Sequence, residues 1–420
     1  MNILILGGGG REHSLAWAIK QNPKCDRLIV APGNAGIARL AECADLDILD
    51  GAAVVTFCAE NAVDLIIIGP EAPLAAGVAD ATRAAGLLTF GPSAAAAQLE
   101  TSKAFTKAIC AACGAPTAAW ARFTDPEPAK AYIRAQGVPI VVKADGLAAG
   151  KGVIVAETLP EALAAIDEMF AGGFGAAGAA VVIEDFMAGE EASFFVLTDG
   201  VHALPIGTAQ DHKRAYDGDT GPNTGGMGAY SPAPCLTDAI AAQAMAEIVL
   251  PTIAEMARRG TPYQGVLYAG LMIKDGHARL VEYNARFGDP ECQVLMLRLG
   301  AQVLDLMLAC AEGRLEGSLV NWADDHALTV VMATRGYPGA YAKGSAIHGV
   351  EALPEDSFHM TFHAGTTASG SQIIASGGRV LDVTARAATL AQARARAYAM
   401  VDAIDWPEGF CRRDIGWRGL

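Results

Sequence analysis

The sequence predicts a multidomain protein of mixed α/β and α+β class. An N-terminal doubly wound α/β domain takes residues 1–102, a larger α+β region takes 103–322 with a small flap-bearing subdomain at about 125–188, and a small α+β domain takes 323–420. Three observations predict this. At 420 residues the chain is too long for one ordinary core. Its first hundred residues repeat a short apolar run followed by a Gly or Pro turn, with helical stretches between, which is how buried parallel strands read. From about Trp322 the pattern turns to strands at Ala327–Ala333, His359–Phe362 and Gly378–Thr384, closed by a helix at Leu390–Ile404.

In the first hundred residues, Ile3 to Leu6 precedes Gly7-Gly8-Gly9-Gly10, Leu28 to Val30 precedes Ala31-Pro32-Gly33-Asn34, Leu65 to Ile68 precedes Gly69-Pro70-Glu71, and Leu87 to Phe90 precedes Gly91-Pro92-Ser93. Helices are expected at Arg11–Lys20 and Leu74–Ala85. Such a domain gathers its loops at the strand C-termini, where ligands bind. The glycine run leads into a helix and is expected to cradle a phosphate on backbone N–H groups. It is not a dinucleotide fingerprint: the third glycine position is Glu12, and no acidic residue closes the second strand. A plain packing turn is the alternative.

The central region becomes helical at Ser102-Lys103-Ala104-Phe105. A strand ending in Lys143 then enters Ala144-Asp145-Gly146-Leu147-Ala148-Ala149-Gly150-Lys151-Gly152, and a second strand leaves it. Small residues let such a loop close over a ligand, with N–H groups and Lys151 available to phosphates. It is not a Walker loop, since no Ser or Thr follows the lysine and the exit is a strand. Glu184, Glu190 and Glu191 crowd a turn between two apolar strands, where acid can accept from an adenine amino group or ribose hydroxyls. Asp211-His212-Lys213-Arg214 opens a long loop running to Gly228, of a length that is usually functional. His212 alone reads as structural.

The late stretch Leu280-Val281-Glu282-Tyr283-Asn284-Ala285-Arg286 starts as a strand. Glu282 and Asn284 are two apart and share a face. A carboxylate beside an amide oxygen suits a hard cation such as Mg²⁺ or Mn²⁺. Arg286 has the same parity and can hold a planar carboxylate by two hydrogen bonds. The tail from Phe410 to Trp417 is too apolar for a free end and is expected to pack on the body.

Composition narrows the function. With 52% hydrophobic and 18% charged residues the chain reads as a soluble globular enzyme, and its net charge of −15 argues against general binding of nucleic acid or anionic lipid. No apolar run approaches the ~20 residues of a membrane span, and the N-terminus lacks a signal layout. Nine scattered Cys, an odd number, point to reduced thiols and a cytoplasmic location. Cys110 and Cys113 form one C-x-x-C without the second pair a zinc site wants. His359 and His363 lie on an alternating strand and read as structural.

Taken together, a lysine-ended strand, a Gly-rich flap, a Glu-bearing hinge and a late Glu-x-Asn strand resemble the ATP-grasp superfamily. Gly9-Gly10-Arg11-Glu12-His13, Pro32-Gly33-Asn34-Ala35-Gly36, Gly69-Pro70-Glu71-Ala72-Pro73-Leu74, the Lys143–Gly152 stretch, Gln210-Asp211-His212-Lys213-Arg214, Gly221-Pro222-Asn223-Thr224-Gly225-Gly226-Met227-Gly228 and Asn284-Ala285-Arg286-Phe287-Gly288-Asp289-Pro290-Glu291 are similar to the phosphoribosylamine–glycine ligase family over essentially the whole chain. The resemblance implies an ATP-grasp core of two α+β subdomains between the terminal domains. It implies ligation of glycine to 5-phosphoribosylamine through glycyl phosphate, releasing ADP and phosphate, in purine synthesis. Lys103, Lys143, Gly150, Lys151 and Gly152 would then meet ATP phosphates, Glu184 and the Phe186 backbone adenine, and Glu191 the ribose. Glu282 and Asn284 would hold Mg²⁺ or Mn²⁺. Arg286 and Asp211 are the candidates for glycine's carboxylate and ammonium, with Lys213 beside them as a third catalytic candidate. Gly8, Gly9, Gly10, Asn34 and Glu71 would take the phosphoribosyl group. No nucleic acid or membrane partner is implied, and a monomer is expected.

Two departures stand out. The strand before the Glu-x-Asn strand, Gly265 to Ile273, carries no acid where many ATP-grasp enzymes have a further metal ligand, and Gly8 replaces an Asn common in relatives. The alternative within the fold is another ATP-grasp carboxylate–amine ligase or a carboxylase of purine metabolism, against which the Asp211–Arg214 block counts. A dinucleotide oxidoreductase lacks its third glycine, and a scaffold protein would leave Lys143, Glu282, Asn284 and Arg286 without a shared purpose.

Overall fold

The computed structural model describes residues 1–146, 152–173 and 179–420. Among them, the strands Glu42–Cys43, Arg27–Pro32, Asn2–Gly7, Leu65–Ile68 and Leu88–Phe90 lie side by side in that order, every neighbouring pair parallel. Ile3, Leu4, Ile5 and Leu6 are all fully buried, because helices cover both faces. This is the expected doubly wound domain. Its helix Gly10–Lys20 follows directly from the glycine run. The helix expected at Leu74–Ala85 is two helices, Glu71–Ala75 and Val78–Ala84, since Gly77 takes a left-handed conformation (φ 81°) that interrupts the first and starts the second.

Helix Lys103–Cys113 leads into the central region. Ser102 caps it, its hydroxyl accepting the Phe105 N–H at 3.1 Å, and Gly114 ends it in a left-handed turn. A four-stranded antiparallel sheet follows, ordered Trp120–Phe123, Val181–Asp185, Ile140–Ala144, Val153–Ala156. Helices Pro126–Gln136 and Leu159–Glu168 pack with it to form their own apolar cluster around Ile133, Val142, Ile166 and Ile183. This is the small subdomain. The flap expected at Gly150 and Lys151 falls outside the described residues.

The large antiparallel sheet carries most of the site. Its order is His277–Asn284, Gln264–Lys274, Glu190–Asp199, Ala203–Asp211, Gly228–Ser231, His326–Thr334, Arg379–Ala387, His359–His363. One expectation changes here. The stretch from Asp211 to Gly228 is not structureless: Arg214–Tyr216 and Thr220–Asn223 pair as a hairpin, and both ends join the sheet. Alternation was hidden there by Gly, Asp and Asn at the turn. The C-terminal strands expected at Ala327–Ala333, His359–Phe362 and Gly378–Thr384 join this same sheet, because Gly228–Ser231 pairs with His326–Thr334, while Ala346–Ile347, Gln372–Ala375 and Thr366–Ser369 form a small sheet of their own. Helix Glu291–Leu299 is buried at every residue and packs between the N-terminal helix Gly10–Lys20 and this sheet. It welds the first domain to the rest.

One helix is longer and more apolar than continuous run length shows. The helical run Asp238–Arg258 has 21 residues, and its most apolar 18-residue window has a mean hydropathy of 1.3, enough by length and composition to cross a membrane. Its acids break the apolar run, so run length alone passes over it. Ile240, Ala244, Ile248, Val249, Ile253 and Met256 lie in the core, so its apolar face is used in packing.

Candidate active site

A cavity of about 770 Å³ opens where the two central sheets and the N-terminal domain meet. The small sheet supplies Lys143 from one strand and Glu184 from the next, with Phe186 in the hinge. The large sheet supplies Glu191 at the start of one strand, Asp211 at the end of its neighbour and Lys213 just beyond. Glu282 and Asn284 come from the last turn of the edge strand, and both line the cavity as their spacing predicts. Lys103, Gly152, Arg286 and Glu71 complete the set of nominated residues on its wall.

The charges are arranged in buried pairs. Glu184 is not an exposed turn carboxylate: Lys107 Nζ lies 2.9 Å from one of its oxygens and Lys143 Nζ 3.0 Å from the other, all three side chains almost fully buried. Two ammoniums share one carboxylate, so the cluster carries a net positive charge toward the cavity. Lys213 pairs with Glu191. Arg286 is held by Glu100 at 2.9 Å and by Glu71 at 3.2 Å. Burial lowers the Arg286 pKa, but Glu100 and Glu71 more than reverse this and raise it. On Glu100 burial wins over Arg286, and its carboxyl sits above the usual range. The two directions differ because Glu100 is the more enclosed partner and has the acidic Glu71 nearby. Its other oxygen accepts the Ala285 N–H at 2.7 Å, which fixes the backbone between Asn284 and Arg286.

Asp211 is pushed up to about 7 by burial, with Glu291 and Glu191 adding to the effect and Lys213 opposing it. Glu282 goes the other way. Burial raises it, yet Lys103, Lys143, Lys213 and Arg286 together hold it below the ordinary carboxylate value. Glu282 therefore presents an anion to the cavity. Opposite it on the next strand stands Gly270, so no third donor side chain comes from there. Among the described residues no group of three or more His, Cys, Asp or Glu is placed to hold a metal ion. One carboxylate and one amide oxygen, with phosphate oxygens and water completing the shell, is the donor set Mg²⁺ takes in nucleotide sites, so the residues fit such an ion.

Four nominated residues do not line the cavity. The glycines are explained by close packing: a Cβ on Gly8 would stand 2.5 Å from the Gly33 carbonyl oxygen, and one on Gly10 would overlap the Asp382 carboxylate. The Gly9 N–H is taken by Glu12 at 2.7 Å and is not free for a phosphate. Asn34 spends its side chain on the backbone, donating to the Gly8 and His363 carbonyls and accepting from the Gly36 and Ile37 N–H groups. It shapes the glycine loop. Gly150 and Lys151 lie outside the described residues.

The cavity also has walls that residue-level reading passed over: Arg11, Glu100, Tyr268, Asp289, Glu291, Arg379 and Arg418. Arg11, Asp289 and Glu291 lay inside quoted motifs and could have been found there. Glu100 sits in an Ala-rich helix and Arg379 at the start of an ordinary strand, with no local signal. His212 is buried and accepts the Gly416 N–H at 2.9 Å through Nε2, a structural histidine as expected.

Comparison with known proteins follows the same division of the chain. Residues 1–100 match the phosphoribosylglycinamide synthetase N domain, 101–292 its ATP-grasp (A) domain and 327–418 its C domain. A phosphoribosylamine–glycine ligase from Mesorhizobium japonicum is 58% identical over 420 residues, covering 100% of this chain and 99% of that one. The chain belongs to the phosphoribosylglycinamide synthetase family. The crystal structure of a phosphoribosylamine–glycine ligase from Thermotoga maritima superposes with a TM-score of 0.86 at 30% identity, over 99% of this chain and 100% of that one. The biotin carboxylase domain of a Hydrogenobacter thermophilus 2-oxoglutarate carboxylase, solved with MgADP and bicarbonate, reaches 0.74 over 98% of this chain and 91% of that one. At 16% identity it shares the ATP-grasp fold alone. For a synthetase of this family the cavity sits where the three matched domains adjoin, with Arg11 and Glu71 from the first, most of the wall from the second and Arg379 and Arg418 from the third.

Proposed function

We propose that this chain joins glycine to 5-phosphoribosylamine with ATP, in purine synthesis, and that the 770 Å³ cavity is where it does so. One observation carries the reading. Segments far apart in sequence converge on one space with lysines for phosphates, an oxygen pair for a divalent cation, a buried guanidinium for a carboxylate and a carboxylate for an ammonium.

ATP lies between the two central sheets, its phosphates toward Lys103 and Lys143 and its adenine toward the Phe186 hinge. Glu184 acts through the two lysines it balances, and Glu191 faces the ribose. Bound by Glu282 and Asn284, Mg²⁺ or Mn²⁺ supplies charge neutralisation on the phosphates. Arg286 holds glycine's carboxylate and Asp211 its ammonium, which requires Asp211 ionised. A carboxylate oxygen of glycine attacks the γ-phosphorus and ADP leaves, giving glycyl phosphate. The amine of phosphoribosylamine then attacks the acyl carbon, phosphate leaves with the bridging oxygen, and the amine loses a proton. The phosphoribosyl group is assigned to the N-terminal-domain side, where Arg11 and Glu71 line the cavity beside the glycine loop. Acyl phosphates hydrolyse readily, so closure of the small subdomain serves to exclude water. The protein acts as a soluble monomer in the cytoplasm.

The test is ADP release with each substrate omitted in turn. ADP formation requiring glycine and phosphoribosylamine together supports the assignment. ADP formation driven by bicarbonate, or indifferent to glycine, would overturn it.

A further inference from the structure

The hairpin that follows Asp211 has an unusual support. Among the described residues its strands Arg214–Tyr216 and Thr220–Asn223 pair only with each other and stand off the large sheet. Yet Lys213, Arg214, Asp219 and Asn223 line the cavity. A two-stranded ribbon has little stability of its own, so its position must come from what it touches. At its base Lys213 pairs with Glu191 of the large sheet, and along the rest of its length the hairpin touches the C-terminal tail.

The contacts run along the hairpin's length. Arg412, fully buried, donates to the Arg214 carbonyl at 3.0 Å and to Asp219 Oδ1 at 2.9 Å. Asp414 accepts the Gly218 N–H at 2.8 Å, and Asp217 accepts the Arg413 N–H at 2.8 Å. At the far end Arg418 ion-pairs with Asp219 and donates through Nη1 to the Asp211 carbonyl at 3.3 Å. Asp219, whose backbone φ is 55°, thus anchors two arginines of the tail.

We infer that the tail is a clamp that sets the position of Asp211, and that Arg418 is a positioning residue for glycine binding. Arg418 joins the hairpin tip to the backbone of the very residue assigned to glycine's ammonium, so the part of the inference about glycine rests on that assignment. The guanidinium suits the task because it spans two acceptors in a fixed plane, which an ammonium cannot do equally well.

The experiment pairs hydrogen exchange with kinetics on Arg418→Ala and Arg418→Lys in the full chain. The Arg418 side chain is about a quarter exposed, so the substitution leaves the core intact. Arg418→Ala is expected to speed amide exchange across residues 212–223 while the small sheet exchanges as before. It is also expected to raise the glycine KM about tenfold with the ATP KM within about twofold, as loss of a hydrogen-bonded charge would. Arg418→Lys is expected to recover part of both effects. Unchanged exchange in the hairpin overturns the clamp. A faster hairpin with glycine and ATP KM rising equally, alongside a lower melting temperature, overturns the positioning role. Faster exchange in an enzyme whose ADP release never depended on glycine supports the clamp and refutes the ligase assignment instead.

Discussion

Glu184→Gln isolates the most enclosed charge cluster at the site. The carboxylate faces Lys107 at 2.9 Å and Lys143 at 3.0 Å, and the three side chains are 2–4% exposed. Gln keeps the volume and removes the charge, leaving two buried ammoniums. Lys107 retains the Thr117 hydroxyl at 2.7 Å, whereas among the described residues Lys143 retains only the distant Val281 carbonyl at 3.4 Å. Removing one partner of a buried ion pair costs roughly 3–5 kcal/mol. A second route to the number is proton release. Burial already holds Lys107 below the usual lysine pKa, and keeping one lysine neutral at pH 7.5 costs about 4 kcal/mol against its ordinary value. The two estimates agree, so a loss of about 4 kcal/mol is expected.

The sign of the pH dependence follows. A lysine neutral in the folded variant and charged in the unfolded chain binds fewer protons when folded, so stability rises with pH below the unfolded lysine pKa. Between pH 7.5 and 9.5 the deficit should shrink by roughly 2.7 kcal/mol. Urea unfolding of both proteins at the two pH values, followed by circular dichroism, measures this. A deficit under about 1 kcal/mol at pH 7.5, or one that does not shrink by pH 9.5, would refute the charge-balance reasoning.

Other outcomes follow from the same geometry. Glu282→Ala should lower turnover by more than the roughly 100-fold that even loss of an outer metal contact can cost, with Mg²⁺ titration showing weaker dependence on the ion; full turnover at saturating Mg²⁺ would remove Glu282 from the metal site. Arg286→Lys should raise the glycine KM about tenfold, since a point charge replaces a planar fork, and an effect confined to the ATP KM would contradict the assignment. Asp211, raised to about 7, must be ionised to hold an ammonium. In the free enzyme kcat/KM for glycine should therefore rise through pH 7 and level off above it. Asp211→Asn should lose that limb, and a variant that kept it would place the titration elsewhere.

How much of this was legible in the chain depended on whether the signal was local. Glu282 and Asn284 reach the cavity because strand periodicity alone puts them on one face. Lys143 and Glu184 were recognisable as charged residues ending apolar strands, but their shared pair with Lys107 was not, because Lys107 sits on a helix with no mark of its own. Glu100 and Glu71 meet Arg286 from segments about two hundred residues away, a contact that only the docking of the first domain creates. The glycine run allows two readings. Glycine is demanded equally by a phosphate cradle and by close backbone approach, and Gly8 and Gly10 serve the second need against Gly33 and Asp382. The unbroken large sheet was hidden for a related reason: strand pairing across residues 228 and 326 is non-local, and composition changes at the same place.

The central claim is that glycine's own carboxylate is phosphorylated in this cavity. Glycine labelled with ¹⁸O in both carboxylate oxygens tests it directly, by mass spectrometry of the phosphate and amide released in one turnover. Glycyl phosphate predicts one labelled oxygen in the phosphate and the other in the amide product. Phosphate free of label would contradict the route and leave the Arg286 and Asp211 assignments without their chemistry.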